Sequence, residues 1–279
     1  MSQSTRLPVS RAISVCVDDF GQHEGINQAA LELATRGRVS ALSCLVDGPA
    51  WHAGAQALRT GSVAAEVGLH LNFTEDFGQG GCLPLGILIA RCYARLLDRA
   101  AIRRAIERQF DRFEAAMGRL PAFVDGHQHV HQLPVIRDVL IEVMDRRCGA
   151  ARPWLRATLP PAACRRAGLS RATALKTWLI ARLGARPLAR IAHRHGYRQN
   201  GHLVGVYGFE PSEADYLVKL RHWLACAGDG DVLMCHPSLP WEGADPLRAV
   251  RAMEYRVLAG EEFSALLKAT GIVVGPLSC

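Results

Sequence analysis

The densest group of metal-binding side chains in this sequence is the run 124–131, which reads Val-Asp-Gly-His-Gln-His-Val-His. Its acidic and imidazole side chains fall on alternate positions, at Asp125, His127, His129 and His131. In an extended backbone they would point to one face. Such a face is costly to bury without partners, and neutral imidazole is the commonest nitrogen ligand of divalent metals. The run therefore predicts a metal site, with a solvated His-rich loop as the alternative.

Two adjacent carboxylates, Asp18 and Asp19, lie far upstream of these histidines. Neighbouring side chains of an extended chain point to opposite sides, so we expect the two aspartates to do different jobs. One could bind a metal while the other, held away from it, accepts a proton from bound water. A helix N-cap and turn ahead of Ile26 is the alternative role for the pair.

Composition indicates a large α/β protein: the chain has 279 residues, of which 49% are hydrophobic and 21% are charged. We find neither a signal peptide nor an apolar run long enough to span a membrane. The nine cysteines are scattered without a C-x-x-C pair, so we expect them to stay reduced. These features together predict a cytoplasmic protein with no membrane span.

The formal net charge of +7 raises the question of nucleic-acid binding. Much of the excess comes from arginines spread between Arg146 and Arg198, with alanines and leucines between them. No stacking-aromatic pattern or known nucleic-acid motif accompanies them. We therefore expect solvated helix faces and no nucleic-acid partner.

Strand and helix patterns alternate along the chain and would position these residues. Short β-branched or apolar runs predict strands at 12–17, 39–46, 64–73, 122–125, 203–209, 231–235 and 271–274. Helical spacing predicts helices from Ile26 to a C-terminal cap at Gly37, at 50–58, at 100–117 and from Pro134 to about 147. The segment 152–200 shows no clear pattern. Repeated β-α units favour a parallel sheet, closed as a barrel or open and doubly wound, in a single domain over 1–279.

The candidate chemical groups follow the ends of predicted strands, at Asp18 and Asp19, His70, His127 and His236. The carboxyl ends of parallel strands converge on one face of the sheet. We therefore expect these side chains to meet although they are far apart in the sequence.

Ordered segments resemble the motifs of the YdjC-like (ChbG/HpnK) carbohydrate deacetylases. The opening A-D-D-F-G…G-x-N motif is similar to 17–21 with Gly25 and Asn27, and the G-L-H-L-N-x-T-E motif matches 68–75. The D-[SG]-H-x-H-V-H…P motif matches 125–131 with Pro134. The late M-C-H-P resembles 234–237, followed by an R-x-x-E pair at Arg251 and Glu254. The resemblance covers most of the chain and weakens over 152–200.

This resemblance implies a distorted, incomplete (β/α) barrel of the glycoside hydrolase/deacetylase type. It also implies hydrolysis of an N-acetyl group on an amino sugar or chitooligosaccharide-like carbohydrate, with one divalent metal, Mg or Zn. Carried over by position, Asp19, His70 and His127 would be the metal ligands. Asp18 would be the general base that takes a proton from metal-bound water, the nucleophile.

The remaining roles are less specific. His236 is the first candidate for the acid that protonates the leaving amine, and His131 is the second. Candidates for substrate contact are Asn72, His129 and Arg156. The carboxylate of Asp125 could hold an imidazole in its working tautomer.

The substrate is the least determined feature, because Phe123 stands where the family frequently has histidine and the segment 152–200 diverges. Besides chitooligosaccharides, a hopanoid-linked N-acetylglucosamine or another amide is an alternative. A non-catalytic sugar- or metal-binding protein is a further alternative, against which the presence of Asp18 argues. A homodimer is one assembly that we consider.

Overall fold

A parallel β-sheet forms the centre of the fold in the computed structural model, which describes residues 10–61, 63–165 and 170–277. Its strands are β1 (Arg11–Phe20), β2 (Ala41–Cys44), β3 (Glu66–Leu71), β4 (Phe123–Gly126), β5 (Trp154–Leu155), β6 (Leu203–Val204), β7 (Val232–Cys235) and β8 (Ile272–Val274). The sheet order is β5-β4-β3-β2-β1-β7-β6, and β8 pairs with the first residues of β1. Every ladder between these strands is parallel.

Helices connect the strands, because parallel neighbours need long crossover connections. They are α1 (Glu24–Thr35), α2 (Trp51–Thr60), α3 (Leu85–Tyr93), α4 (Arg99–Met117), α5 (Ile136–Arg147), α6 (Arg171–Arg182), α7 (Ala185–Arg194), α8 (Glu213–Cys226), α9 (Arg248–Ala259) and α10 (Glu261–Thr270). The sheet ends at β5 on one side and β6 on the other, so it is a half-barrel. The predicted distorted, incomplete (β/α) barrel is confirmed. Within the described ranges no helix has the length and apolarity to cross a membrane.

The core explains why the strands read as continuous apolar runs. All residues of β2, β3 and β4 are buried, as strands covered on both faces require. Helix α4 buries Ile102, Ile106, Phe110 and Phe113, the apolar side that its periodicity predicts. Phe113 stacks on Trp51 of α2 with ring centroids 5.7 Å apart. Each such buried side chain stabilises the fold by about 1.5–3 kcal/mol.

Several local expectations were wrong. The His-rich run is not extended: residues His127–Gln132 form a 3₁₀ helix in which Gln128 and His129 have left-handed backbone angles. Alternation therefore does not place its histidines on one face. Helix α5 begins at Ile136, two residues after Pro134, and strand β6 is much shorter than the predicted 203–209. Phe123 is buried against Trp154, with ring centroids 4.4 Å apart, so this departure from the family pattern belongs to the core.

Candidate active site

The ends of four strands open onto one cavity of about 470 Å³. Its lining includes all of the strand-end groups predicted from the sequence, namely Asp18, Asp19, His70, His127 and His236. Apolar side chains from α3, α6 and the segment after β6 complete its walls, among them Leu85, Ile89, Ile180, Val206 and Phe209. The convergence expected at the carboxyl edge of the sheet is thus present.

The last residues of β1, which include both aspartates, set the direction of their side chains. Asp19 has a left-handed backbone (φ 66°), a conformation that costs about 1–3 kcal/mol for a residue other than glycine. Gly21 follows with φ 97°, and a Cβ atom there would lie 2.7 Å from the carbonyl oxygen of Leu45. Glycine is therefore required at position 21. This backbone sends the Asp18 and Asp19 side chains to different partners.

Asp19 lies at the centre of a three-residue donor group. Its Oδ1 atom is 2.9 Å from His127 Nδ1 and 3.4 Å from His70 Nε2. One donor atom from each residue lies within 4.8 Å of the others. The Oδ2 atom of Asp19 accepts a hydrogen bond of 2.8 Å from Arg251. Burial alone would raise the pKa of Asp19, but His127 and Arg251 hold it well below its usual range.

This donor group suits a divalent cation. One carboxylate oxygen and two imidazole nitrogens are the ligand types of three-ligand zinc sites that leave positions open for water and substrate. The carboxylate is ionised, as a ligand must be. All three side chains are largely removed from solvent, with 2% exposure for Asp19 and His70 and 13% for His127. The residues therefore fit a single metal ion.

His70 is oriented from behind by Asp125 and Ser43. Its Nδ1 atom lies 2.6 Å from Asp125 Oδ1 and 2.8 Å from Ser43 Oγ, which leaves Nε2 facing Asp19. Burial lowers the pKa of His70, but the Asp125 carboxylate more than reverses this and raises it to about 10. The imidazole that Asp125 was expected to hold is thus that of His70.

Replacing Asp125 should loosen this orientation without removing a donor atom. We expect Asp125→Asn to weaken divalent-metal affinity by about 10- to 100-fold, the usual cost of losing the partner of a ligating histidine. Competition titration against a metallochromic chelator measures this affinity. The control is Asp215→Asn, an exposed position on α8. Equal affinity in the two variants would show that Asp125 does not position His70.

Arg156 lies behind Asp18, not in the cavity. It is fully buried, and its Nη1 and Nη2 atoms donate to the two oxygens of Asp18 at 2.6 and 2.7 Å. Its Nη2 atom is also 2.7 Å from Asp125 Oδ2. The substrate contact expected for Arg156 is incompatible with this burial, because both carboxylates occupy its guanidinium. Arg156 links Asp18 to the Asp125–His70 pair.

The other three histidines predicted to act at the site, His129, His131 and His236, differ in whether they border the cavity. His236 lines the cavity, and its backbone N–H donates to Glu254 at 2.5 Å. His129 also lines the cavity. His131 is fully buried, and its Nε2 atom donates to the carbonyl oxygen of Arg156 at 3.0 Å. Burial lowers the pKa of both His131 and His236 to about 4. Of the two acid candidates, His236 is the one that borders the cavity.

Asn72 organises a loop and borders a different cavity of about 300 Å³. Its Oδ1 atom accepts from the backbone N–H groups of Thr74 and Glu75 at 3.1 and 2.9 Å. This turn brings the Glu75 carboxylate within 4.0 Å of His127 Nε2. Asn72 therefore shapes this loop, and its contact with substrate stays a prediction.

Sequence reasoning gave no role to Ser43, Glu75 or Arg251. Arg251 had a signal in the R-x-x-E pair, whose glutamate, Glu254, contacts His236. Ser43 lies next to the last residue of β2, so its strand-end position could have indicated it. Glu75 had only its place in the 68–75 motif.

Acid should destabilise the metal-free protein. His131 and His236 have pKa values of about 4 in the folded state against an ordinary 6.5, so between these values the unfolded chain binds more protons. Buried His129 also has a lowered pKa and acts in the same direction as these two histidines. Burial raises the pKa of Glu254 to about 7, and the Asp125 carboxylate raises that of His70 to about 10, so these two groups partly offset the histidines. We expect the free energy of unfolding, from urea titration with chelator present, to fall from pH 6.5 to pH 4. His131→Gln should flatten the slope, whereas exposed His52→Gln should not; equal slopes would contradict the assignment.

The sequence of this chain is similar to those of one protein family and of known deacetylases. The sequence model of the YdjC-like protein family matches residues 12–269. Chitooligosaccharide deacetylase from Serratia marcescens is 28% identical over 280 residues, which cover 96% of this chain and 98% of that protein. Carbohydrate deacetylase from Mus musculus is 32% identical over 144 residues, or 47% of this chain and 46% of the mouse protein. That alignment therefore spans about half the length of the mouse relative.

Solved structures show the same fold at low sequence identity. A protein from Enterococcus faecalis V583, named for cellobiose-phosphate cleavage, superposes with a TM-score of 0.72 at 17% identity, covering 96% of this chain and 98% of that one. A peptidoglycan N-acetylglucosamine deacetylase has a TM-score of 0.52 at 10% identity, with coverage of 95% and 86%. At these identities the likeness is one of fold alone.

Proposed function

This chain belongs to the YdjC-like protein family, and we propose that it is a metal-dependent carbohydrate deacetylase that hydrolyses an N-acetyl group on an amino sugar. The proposal is supported by the different surroundings of the two adjacent carboxylates. Asp19 is grouped with His70 and His127, whereas Asp18 is held apart by Arg156. A ligand and a base side by side are what metal-assisted amide hydrolysis requires.

We assign Asp19, His70 and His127 as the residues that would hold one divalent ion, with zinc and magnesium as the candidates. An ion held there would supply Lewis-acid polarisation of an amide carbonyl and would lower the pKa of water. Arg251 and Asp125 fix the two ligands that they contact, through Asp19 Oδ2 and His70 Nδ1 respectively. These contacts leave Asp19 Oδ1 and His70 Nε2 facing each other within the donor group.

Asp18 is the proposed general base. Its carboxylate borders the cavity and is 3% exposed, so a proton acceptor is available there with little competing water. The paired hydrogen bonds from Arg156 fix the plane of the carboxylate. Each oxygen keeps a second lone pair that can accept the proton of the attacking water.

His236 is the proposed donor to the leaving amine. Because burial lowers its pKa to about 4, its imidazole is neutral at pH 7. A neutral imidazole donates only a hydrogen bond, so His236 would act as the acid after taking up a proton, such as the one that Asp18 removes from water. The contact of its own backbone N–H with Glu254 fixes its position at the end of β7. We give His131 no direct part, since it is buried against Arg156.

The substrate class follows from the cavity and the relatives. A cavity of about 470 Å³ with several apolar walls is of the size and character that bind a small organic ligand. We propose an acetylated amino sugar or short chitooligosaccharide as the substrate, as the names of the Serratia and mouse relatives suggest.

The test is product analysis on N-acetylated mono- and oligosaccharides with the metal-reconstituted protein. Acetate and a free amine should appear in equal amounts, with glycosidic bonds left intact. The Asp18→Asn protein is the control for contaminating deacetylase. New reducing ends without acetate would indicate glycoside cleavage and overturn the proposal, as would no acetate from any sugar with each divalent metal supplied.

A further inference from the structure

The positive charge of this protein is concentrated in one segment. Residues 146–209 contain 13 Arg and Lys residues and no Asp or Glu, so the rest of the chain has 20 basic and 26 acidic side chains. The net charge of +7 therefore originates entirely in this segment. Some of its arginines are neutralised by carboxylates elsewhere, as Arg147 and Arg156 are. Among the described residues, Arg182, Arg186 and Arg190 form no ion pair.

Helix α6, in the middle of this segment, exposes an apolar stripe. It buries only Thr173 among its side chains, all of which the structure describes. Leu175, Trp178 and Leu179 are 56%, 53% and 47% exposed and lie at helical spacing on one face. The Arg182 guanidinium lies 5.5 Å from the Trp178 ring centroid, so the stripe continues directly into positive charge. Contiguous exposed apolar surface of this kind usually marks an interaction site.

A cavity of about 560 Å³ lies between α6, α7 and residues 159–164. Its lining combines apolar side chains (Leu159, Pro160, Ala174, Trp178 and Pro187) with Arg182, Arg186 and Arg190. Apolar surface and unpaired guanidinium groups thus adjoin. This combination is complementary to a surface that offers both hydrocarbon and negative charge.

The adjacent side of α6, together with Leu183 directly after the helix, forms part of the candidate active-site cavity. Lys176, Ile180 and Leu183, which are three to four residues apart, line that cavity. Lys176 Nζ donates to the carbonyl oxygen of Tyr207 at 2.7 Å, which fixes this side of the helix to the protein. One helix therefore has an inner face at the candidate active site and an outer face that is apolar and bordered by arginines.

We propose that the α6–α7 face docks the protein peripherally on an anionic lipid bilayer. The face is defined by Leu175, Trp178, Leu179, Arg182, Arg186 and Arg190. The apolar stripe would enter the headgroup–acyl boundary, where tryptophan is favoured, while the arginines pair with lipid phosphates. A nucleic acid would use the arginines but leave the aliphatic stripe exposed. Docking would place a wall of the catalytic cavity about 10 Å, one helix diameter, from the membrane surface.

Vesicle binding tests this proposal independently of the deacetylase reaction. The full-length protein should cosediment with vesicles containing phosphatidylglycerol and remain in solution with phosphatidylcholine vesicles. Brominated acyl chains should quench part of the tryptophan fluorescence, and Trp178→Phe should remove that quenching. The triple variant Leu175→Ser/Trp178→Ser/Leu179→Ser should weaken partitioning by about tenfold or more.

Matched variants distinguish vesicle binding through this face from non-specific binding through surface charge or exposed apolar side chains elsewhere. Arg182→Glu/Arg186→Glu/Arg190→Glu should abolish binding to anionic vesicles, whereas the exposed set Arg36→Glu/Arg59→Glu/Arg104→Glu should retain most of it. Val218→Ser, at an apolar position of α8 that is 54% exposed, is the control for the apolar stripe. Equal loss in both arginine sets would overturn the proposal. So would self-association through this face, or binding to random DNA without binding to vesicles.

Discussion

The Asp18→Asn protein is expected to lose about 100- to 10,000-fold in kcat for deacetylation, the range of a positioned general base. It should nevertheless bind one divalent ion with unchanged affinity, because the donor group consists of Asp19, His70 and His127. An asparagine keeps the shape of the side chain but cannot accept the proton of the attacking water. The two readouts together distinguish a lost base from a lost metal.

Folding is the control for this variant, since Asp18 pairs with the buried Arg156. Arg156 keeps Asp125 as its second partner, so the variant should fold, with a lower melting temperature. Circular dichroism and metal stoichiometry establish that the variant is intact. Near-normal turnover in a folded, metal-loaded Asp18→Asn protein would show that Asp18 is not the base.

The second large effect is expected at the donor group itself. His127→Ala and His70→Ala each remove one of three protein ligands, so each should bind substoichiometric metal after dialysis. Losing the several kcal/mol that a metal contributes corresponds to about a 1,000-fold or greater fall in kcat/KM. Metal analysis of the dialysed proteins and acetate release at limiting metal measure the two effects.

His129→Ala is the discriminating control, because His129 borders the same cavity but lies outside the donor group. It should retain one metal per chain. A protein that keeps its metal without His127 and loses it without His129 would reverse the assignment within the His-rich run.

The sequence was sufficient to predict the arrangement of strand ends. Short buried strands followed by Asp18, His70 and His236 indicated a parallel sheet, and the carboxyl ends of such strands share one edge. The meeting of strand ends depends on sheet topology alone and not on the exact strand bounds. The ordered motifs then singled out Asp19, His70 and His127 from the eleven histidines and many carboxylates of the chain.

The local geometry of the His-rich run could not be predicted in this way. Gln128 and His129 adopt left-handed backbone angles that only their tertiary setting enforces, so the period-two argument failed there. Arg156 could not be placed either, because its partners Asp18 and Asp125 are 138 and 31 positions away in the sequence. Helix α6 had no buried apolar face to produce a clear pattern, since Leu175, Trp178 and Leu179 are exposed and Ile180 borders the cavity.

Acetate release should depend on a metal ion held by Asp19, His70 and His127. The protein is stripped with chelator, titrated with zinc or magnesium, and assayed with an N-acetylated chitooligosaccharide. We predict no acetate from the stripped protein and activity that rises until one ion is bound per chain, with no recovery in His127→Ala at the same metal concentration. Full acetate release from the stripped protein, or saturation that His127→Ala does not change, would show that this donor group does not hold a catalytic metal ion.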